Sequence, residues 1–454
     1  MKKLWQKNNN LLSSVEAFET TADLVVDQKL IKSDVLGSLG HGLMLVKIGI
    51  ITQSEYKKVA SGLRQIIVEA QNGKFTLKLG DEDVHTKIEQ YLTHHCGAVG
   101  KKIHTGRSRN DQVLTAIRLY TKEQLLQVGL ELVQLAKLFI DFAEAHEFIH
   151  MPGYTHMQKA MPASVGMWAG AFAESLLDDL QILKTAYELN DQSPLGSGAG
   201  YGVPLTLDRK LTAQLLGFKK IQNNSLYCQN SRGKIEVNVV NALISILATV
   251  NRFASDCMLF TTAEFGFFTA SDQVTTGSSI MPQKKNVDLA ELIRSKVHLV
   301  AGNYVSLLGV STNLVSGYNR DLQDSKKLLI DSLNTTYQVI GATQLLLTHI
   351  APQKNKLATA MTKELFATHL AIDQVQKGIP FRDAYKQVAA NLSAVPEPDE
   401  TTIATLLRKS NHAGGTGNLQ LDKVKRLLTR IRRYWQQEQN AWLRVTANLL
   451  TQIN

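Results

Sequence analysis

The stretch TTGSSIMPQKKNVDLAELIRSK, from Thr275 to Lys296, determines how the rest of the sequence is interpreted. Its first residues are small and rich in hydroxyl groups, so the backbone can turn sharply and present N–H groups. Pro282 excludes a helix inside this loop, because proline lacks an N–H group and has a fixed φ angle. From Asp288 onward, an acidic start and the spacing of apolar side chains predict a helix. A polar loop before a helix N-terminus is suited to holding an anion, but a lysine-bearing surface turn has the same composition.

Composition indicates a soluble protein of the reducing cytoplasm. The 454 residues are 44% hydrophobic with only 9 prolines, which allows large cores and long helices. Cys96, Cys228 and Cys257 are widely spaced, so neither a disulfide framework nor a metal-ligand cluster is expected. The N-terminal MKKLWQKNNNLLSS has charge but no apolar run, unlike a signal peptide. The uncharged stretch 237–251 is too short and too polar to span a bilayer.

The formal net charge of +10 is compatible with a nucleic-acid ligand, an anionic substrate or an incidentally basic surface. Much of the excess lies between Lys423 and Arg433, on a helical stretch that also carries Leu427, Leu428 and Trp435. We therefore expect a solvated basic face over a small core. The sequence has no zinc-ligand spacing and no aromatic-rich basic sheet motif, so nucleic-acid binding is the least favoured alternative.

Apolar periodicity predicts an all-α protein built around long helices. The predicted helices cover residues 111–148, 163–190, 234–260, 288–310 and 324–349. Helices of about 25 residues are roughly 40 Å long and would form an extended bundle suited to self-association. The segment Pro152–Pro162 is expected to break the pattern, and the glycine-rich segment Ser193–Pro204 to form a tight connection whose backbone approaches a ligand. The expected domains are an N-terminal helical domain (1–105), the central bundle with the 275–287 loop (106–352) and a small C-terminal helical domain (353–454).

Three further polar segments flank the long helices. They are Ile103–Val113 (IHTGRSRNDQV), Gly153–Ala163 (GYTHMQKAMPA) and Ser316–Lys327 (SGYNRDLQDSKK). Each has the composition of a solvated loop, and a lone histidine is more often structural than catalytic. Because all three lie at helix ends, however, the bundle can gather them into one cleft.

GSSIMPQKKN resembles the signature loop of the aspartase/fumarase superfamily, whose members reversibly eliminate fumarate from substituted succinates. KKIHTGRSRNDQV, MPGYTHMQKAMP, GYNRDLQDSK and GIPFRDAY are similar to the argininosuccinate lyase family within it, and the similarity extends from about Asp34 to Asn418. GRSRND and DLQDSK are the segments that discriminate among superfamily members. The resemblance implies cleavage of argininosuccinate to arginine and fumarate, the last step of arginine biosynthesis, without metal or organic cofactor. It also implies three largely helical domains, a central five-helix bundle and a homotetramer whose active sites combine segments of three subunits.

The resemblance also assigns catalytic roles that suit the chemistry. Removing a proton from carbon next to a carboxylate gives a doubly charged aci-carboxylate, which needs fixed donors and positive charge. Lys284 and Asn286 meet that need, and Asn286 matches a substrate-binding position. The proton-transfer serine is Ser278, whose alkoxide requires a dry site and nearby cations. A guanidinium nitrogen leaves well only when protonated; His156 matches the family histidine, paired with Glu291.

The remaining matched positions are candidates for substrate contacts. They are Asn110, Thr155, Tyr318, Gln323 and Lys326, with Arg107, Arg109 and His85 expected either to contact carboxylates or to hold the site in shape.

Several segments depart from the family pattern. LWQKNN (4–9) stands in place of LWGGRF, and FETTADLVVD replaces the usual serine-bearing segment, so that Asp23 and Thr21 compete for its substrate contact. Val287 replaces a proline, and LYCQNSRGKIEV (226–237) replaces an acidic DAVSDRD segment while keeping Arg232.

Two alternatives therefore stay open beside the family reaction. The first is another fumarate-releasing lyase, acting on adenylosuccinate, aspartate or malate, which the GRSRND and DLQDSK segments disfavour. The second is a non-catalytic structural relative, which the retained Ser278, Lys284 and His156 disfavour.

Overall fold

The computed structural model describes residues 12–451, so the LWQKNN segment lies outside the described residues. The helices in this range are α1 (Ser13–Asp27), α2 (Ile31–Lys47), α3 (Gln53–Gln71), α4 (Val84–Cys96), α5 (Ala98–Lys102), α6 (Arg109–Ala145), α7 (Val165–Asn190), α8 (Arg209–Leu215), α9 (Ser225–Asn230), α10 (Lys234–Phe260), α11 (Asp288–Val310), α12 (Ser325–Thr348), α13 (Lys354–Thr359), α14 (Ala367–Gln376), α15 (Phe381–Asn391), α16 (Glu400–Lys409) and α17 (Leu421–Thr451). The strands are β1 (His150–Thr155), β2 (Gln158–Ser164), β3 (Gln192–Ser193), β4 (Lys220–Ile221), β5 (Phe268–Ala270) and β6 (Ile350–Pro352).

The five long helices α6, α7, α10, α11 and α12 form the predicted bundle. Each predicted boundary agrees with the structure within one helical turn, and the mostly helical class is confirmed. Ser108 begins α6 with a capping box, in which its hydroxyl accepts backbone N–H groups and the Asp111 carboxylate accepts the Ser108 N–H at 2.9 Å. Ser164, the last residue of β2, caps the N-terminus of α7, and its hydroxyl accepts the Met167 N–H.

α10 is the central helix of the bundle. It packs against α7, α11 and α12, and Val239, Leu243 and Leu247 on its apolar face are fully buried. Within residues 12–451 the segment Ser225–Phe260 is the one helical stretch long and apolar enough to cross a membrane. Its packing among neighbouring helices identifies it as a core helix, as the width of its apolar face predicts.

The bundle has two ends that matter for the site. At the upper end α6, α10 and α12 begin and α11 ends, which brings Gly233 next to Ser311. At the lower end α11 begins and α12 ends, and the Ser271 N–H donates to the His349 carbonyl at 2.9 Å. α11 and α12 therefore run antiparallel between the two ends.

The structure adds short strands that the sequence analysis did not predict. Pro152–Pro162 forms most of the antiparallel hairpin β1–β2, and β5 pairs with β6 at the lower end. His156 and Met157 form the two-residue turn of the β1–β2 hairpin, with φ angles of 51° and 62°, as a primed hairpin turn requires. Strands this short have too few residues for a visible alternation of apolar and polar side chains.

The prediction of a small core beneath the basic C-terminal helix is wrong. α17 is 31 residues long and packs on α6 and α7, so that Trp435 is fully buried in the main core. Its six-membered ring lies against Gly129, where an added Cβ would come within 2.5 Å of Trp435 Cε3. The basic side chains of this helix are mostly exposed, as expected. Two small clusters, around Phe366 and around Ala384, are separate from the main core, and the three-domain division remains a prediction.

Candidate active site

The glycine-rich connection between α7 and α8 binds a carboxylate of the protein itself. The N–H groups of Gly196 and Gly198 both donate to Asp111 Oδ2 at 2.9 Å, and both glycines have positive φ. Burial raises the pKa of Asp111 to about 6, although the hydrogen bonds from Ser108 and the two glycines act in the opposite direction. The sequence predicted that the backbone of this loop approaches a ligand. At Gly196 and Gly198 the backbone N–H groups instead bind the Asp111 side chain. The contact fixes the start of α6, which carries Asn110.

Beside Asn110 lies a buried polar frame formed by α2, α4 and the residues before α6. His85 Nδ1 is 2.9 Å from Asp34 Oδ1, and Arg107 Nη1 donates to Ser38 Oγ at 3.0 Å. Burial disfavours the charged ring of His85, but the carboxylates around it, Asp34 first, raise its pKa overall. Arg109 makes an ion pair with Glu82 at 2.6 Å. These contacts suit the expected role of His85, Arg107 and Arg109 in holding the site in shape.

The start of α12 contacts α1 through the predicted substrate-binding residues. Lys326 Nζ lies 2.7 Å from Asp23 Oδ2 and 2.5 Å from Asp27 Oδ1, with only 3% of the lysine side chain exposed. Gln323 Nε2 donates to the Glu19 carbonyl at 2.7 Å. Tyr318 lies in the loop before α12, and its ring packs under the guanidinium group of Arg232, which lies just before α10, at 5.3 Å.

At the upper end Asp27 connects the contacts of Lys326 with the polar frame that contains His85. Its Oδ1 accepts from Lys326, while its Oδ2 accepts the N–H of Val84, the residue before His85, at 3.2 Å. The upper end therefore holds Asn110, Arg107, Arg109, His85, Tyr318, Gln323 and Lys326. Sequence analysis missed Asp27, Asp34 and Asp111; for Asp111 the Ser-x-x-Asp capping pattern was an available signal.

The signature loop lies at the lower end as a hairpin-like excursion. The backbone groups of Thr276 and Asn286 exchange two hydrogen bonds of 2.9 Å, which close the loop at its base. Within it, Ser278 Oγ accepts the N–H of Met281 at 3.1 Å and that of Ile280 at 3.4 Å. Lys285 makes an ion pair with the Asp272 carboxylate.

Lys284 differs from its neighbour Lys285. It is exposed, and within residues 12–451 its ammonium group makes no hydrogen bond or ion pair with the protein. Of the two lysines, Lys284 is thus the one free to meet an anionic ligand.

Thr155 and His156 are exposed at the tip of the β1–β2 hairpin, also at the lower end. Glu291 is exposed in the first turn of α11. Among the described residues of a single chain, no hydrogen bond or ion pair joins His156 to Glu291 or Ser278. The pairing of His156 with Glu291 remains a prediction.

Within a single chain the predicted site residues form two groups, one at each end of the bundle. Between the two ends runs α11, whose 23 residues span about 35 Å. Ser278, Lys284 and His156 lie at the lower end, whereas Asn110 and Lys326 lie at the upper end. Side chains cannot bridge that distance, so a site using both groups needs more than one copy of the chain.

The outward face of α11 is unusually apolar for a surface helix. Leu292, Leu299 and Val305 are 57%, 58% and 68% exposed, and only Ala290, Ile293, Val300 and Leu307 of this helix are buried. Large exposed apolar side chains repeated along one surface helix are typical of an interaction surface.

Comparison with known proteins identifies relatives over nearly the whole chain. A family described as lyase matches residues 18–302. Argininosuccinate lyase of Thermotoga neapolitana is 44% identical over 387 residues, which cover 85% of this chain and 97% of the relative. Argininosuccinate lyase of Phocaeicola vulgatus is 39% identical and covers 94% of this chain and 95% of the relative.

Solved structures share the fold at lower identity. An EDDS lyase in complex with formate superposes with a TM-score of 0.82 at 21% identity, covering 98% of this chain and 96% of that one. A class II fumarase from Schistosoma mansoni gives a TM-score of 0.73 at 14% identity, covering 93% and 95%. At these identities the similarity supports the fold alone.

Proposed function

This chain belongs to the argininosuccinate lyase family, and from that premise we infer that it cleaves argininosuccinate to arginine and fumarate by reversible β-elimination. The observation that carries the proposal is the network at the upper end. There Asp27 links Lys326 of DLQDSK to the N–H group of Val84, and Arg109 of GRSRND pairs with Glu82 and Asp83 immediately before Val84.

We further propose that the enzyme is a homotetramer with active sites shared between subunits. The separation of about 35 Å between the two groups of candidate residues supports this assembly, because only neighbouring chains can bring them together. The apolar outer face of α11 supports it as well, since packing α11 against copies of itself would cover Leu292, Leu299 and Val305. In such a bundle an antiparallel neighbour carries its upper end to the lower end of the first chain.

In the proposed mechanism, Ser278 removes the proton from the carbon next to a succinate carboxylate. A serine hydroxyl is a weak base, so its alkoxide must be stabilised. The N–H groups of Ile280 and Met281 already donate to Ser278 Oγ, and hydrogen bonds of this kind favour the charged form. The free ammonium group of Lys284 adds positive charge as the loop closes over substrate.

The aci-carboxylate formed by proton removal carries two negative charges on one carboxyl group. Lys284 and Asn286 supply a cation and an amide donor for it, and both sit before the N-terminus of α11, whose dipole also favours negative charge. Collapse of this intermediate breaks the C–N bond, leaves fumarate and transfers the electron pair to the guanidinium nitrogen.

The leaving nitrogen accepts a proton from His156, with Glu291 of another subunit's α11 orienting the ring. The hairpin turn supports this role because it projects His156 away from its own chain and leaves the ring exposed for a site completed by neighbours. Thr155, Asn110, Tyr318, Gln323 and Lys326 bind the substrate.

A reducing cytoplasm is the proposed compartment. All three cysteines are free thiols, and Cys228 and Cys257 are buried.

The test is fumarate production by the purified full-length protein, followed by ultraviolet absorbance in the presence of a chelator. We expect turnover of argininosuccinate and none of adenylosuccinate; the opposite pattern would transfer the assignment to another lyase of the superfamily.

Ser278→Ala should lower kcat by roughly 10²- to 10⁴-fold, the usual contribution of a general base. Ser279→Ala is the matched control, since it removes the adjacent hydroxyl of the same loop and should retain most activity. Equal activity of the two variants would remove Ser278 from the mechanism.

A further inference from the structure

The loop between α11 and α12 carries Tyr318 and has little structure of its own. Its residues 312–319 are exposed or half-buried and belong to no helix or strand. Asn313 and Gly317 have φ angles of 61° and 106°, so the backbone changes direction twice within the loop. Contacts with more distant parts of the chain therefore decide where Tyr318 lies.

Asn230, the last residue of α9, supplies those contacts. Its Oδ1 accepts the Gly317 N–H at 2.8 Å, and its Nδ2 donates to Ser316 Oγ at 3.3 Å. Within residues 12–451 these are the only hydrogen bonds that join residues 312–319 to a segment more than ten residues away. An amide suits this position because it has both a donor and an acceptor, whereas an ionised carboxylate only accepts. Asn230 lies in the segment that replaces the family's acidic DAVSDRD sequence.

The end of α9 is a firm support for Asn230. Ser231 is fully buried, and its hydroxyl accepts from Arg118 Nη2 at 2.9 Å and donates to the Cys228 carbonyl at 2.7 Å. Arg118 is also fully buried, on α6, and its carbonyl accepts from Asn190 Nδ2 at 2.9 Å. These buried hydrogen bonds fix the end of α9 to the bundle, so Asn230 holds the loop from a defined position.

The other contacts of the loop are less specific. A Cβ added at Gly317 would lie 3.7 Å from Tyr201 Oη, which is an ordinary van der Waals distance. The Tyr318 ring lies 5.3 Å from the Arg232 guanidinium, a contact that depends on where the ring already is. Neither contact fixes the glycine backbone. Glycine is compatible with many φ angles, and the hydrogen bond from Asn230 selects one of them.

We propose that Asn230 is a positioning residue for the reaction: it holds the loop of residues 312–319 so that Tyr318 meets the substrate. The inference rests on the proposed function, in which Tyr318 binds the substrate. Because Asn230 acts through the loop, its loss should weaken binding and leave the proton-transfer groups Ser278 and His156 in place. The expected signature is a raised KM with little change in kcat.

The test compares Asn230→Ala with Asn391→Ala in the full-length enzyme. Asn391 is a matched control because it is also the exposed last residue of a short helix, α15, and its Nδ2 donates within that helix, to the Gln387 carbonyl at 2.9 Å. Asn230→Ala should raise KM for argininosuccinate by about five- to thirtyfold, the range of two neutral hydrogen bonds, and change kcat by less than about twofold. Hydrogen exchange of the peptide that contains residues 312–319 should become faster, since the Gly317 N–H loses its acceptor. Asn391→Ala should change neither quantity.

A second measurement repeats Asn230→Ala in a Tyr318→Ala enzyme, with kcat/KM taken from initial rates below saturation. If Asn230 acts through Tyr318, its loss should cost less than about twofold in that background. Where the rate is too low, the affinity for argininosuccinate is compared in the Ser278→Ala protein instead. The same fold loss in both backgrounds, an unchanged KM, or a raised KM without faster exchange of the loop would each overturn the proposal. Wild type inactive with argininosuccinate would instead overturn the proposed function, and the exchange measurement would still show whether Asn230 holds the loop.

Discussion

Sharing of active sites between chains can be tested by mixing two inactive variants, one from each end of the bundle. Ser278→Ala removes the base at the lower end, and Asn110→Ala removes a substrate contact at the upper end. Each homotetramer should be inactive, because every site lacks one group. In tetramers assembled from an equal mixture, each of the two groups is intact with a probability of one half. About a quarter of the sites are then complete, and activity should approach a quarter of wild type.

The assay is ultraviolet detection of fumarate after the two variants have been dissociated and reassembled together. A mixture of Ser278→Ala with Lys284→Ala is the control, because both residues lie on one loop and enter any site from the same chain. That mixture should recover nothing. If Ser278→Ala and Asn110→Ala together gain no activity over the separate variants, the reasoning from the separation of about 35 Å is refuted.

Three further changes should have distinct outcomes. Leu299→Glu charges the apolar face of α11 and should break the tetramer into smaller species without activity, as measured by light scattering. Gly129→Ala places a Cβ against Trp435 and should lower the free energy of unfolding in urea by roughly 1–3 kcal/mol. His104 has its pKa lowered to about 4, by burial and then by two neighbouring arginines, from an ordinary 6.5. Its contribution to stability is present above pH 6.5 and lost as pH falls through about 4, so His104→Gln should flatten unfolding free energy against pH in that window.

The substitutions at Leu299 and Gly129 each have a counterpart that should be nearly silent. Val68→Glu introduces the same charge at an exposed position of α3 and should leave the assembly intact. Gly170→Ala meets only an ordinary contact of 3.6 Å to Leu421 and should be neutral or stabilising by up to about 1 kcal/mol. A tetramer that survives Leu299→Glu, or a urea midpoint unchanged by Gly129→Ala, would contradict the packing described for α11 and α17.

The long helices could be predicted from sequence because their apolar periodicity runs over many turns and proline or glycine marks their ends. The hairpin β1–β2 could not, since strands of 6 and 7 residues with one proline each give no period-2 pattern. The burial of Trp435 was also out of reach, because its neighbour Gly129 is about three hundred residues away in the chain.

The candidate site divides in the same way. Motif similarity identified Ser278 and Lys326 because their segments are distinctive, but it gave no indication of what Lys326 contacts. Its partners, Asp23 and Asp27, come from α1, and only the folded chain brings the two helices together. The glycine-rich segment illustrates the converse, since its composition suggested a ligand whereas its amides bind Asp111.

The most direct measurement is a crystal structure of the Ser278→Ala protein with argininosuccinate bound. It should contain one intact substrate per site, with the succinate half next to Lys284 and Asn286 of one subunit, the guanidinium next to His156 of a second and the amino-acid end at Lys326 of a third. Substrate enclosed by a single chain, or bound away from the signature loop, would contradict the shared site on which the mechanism depends.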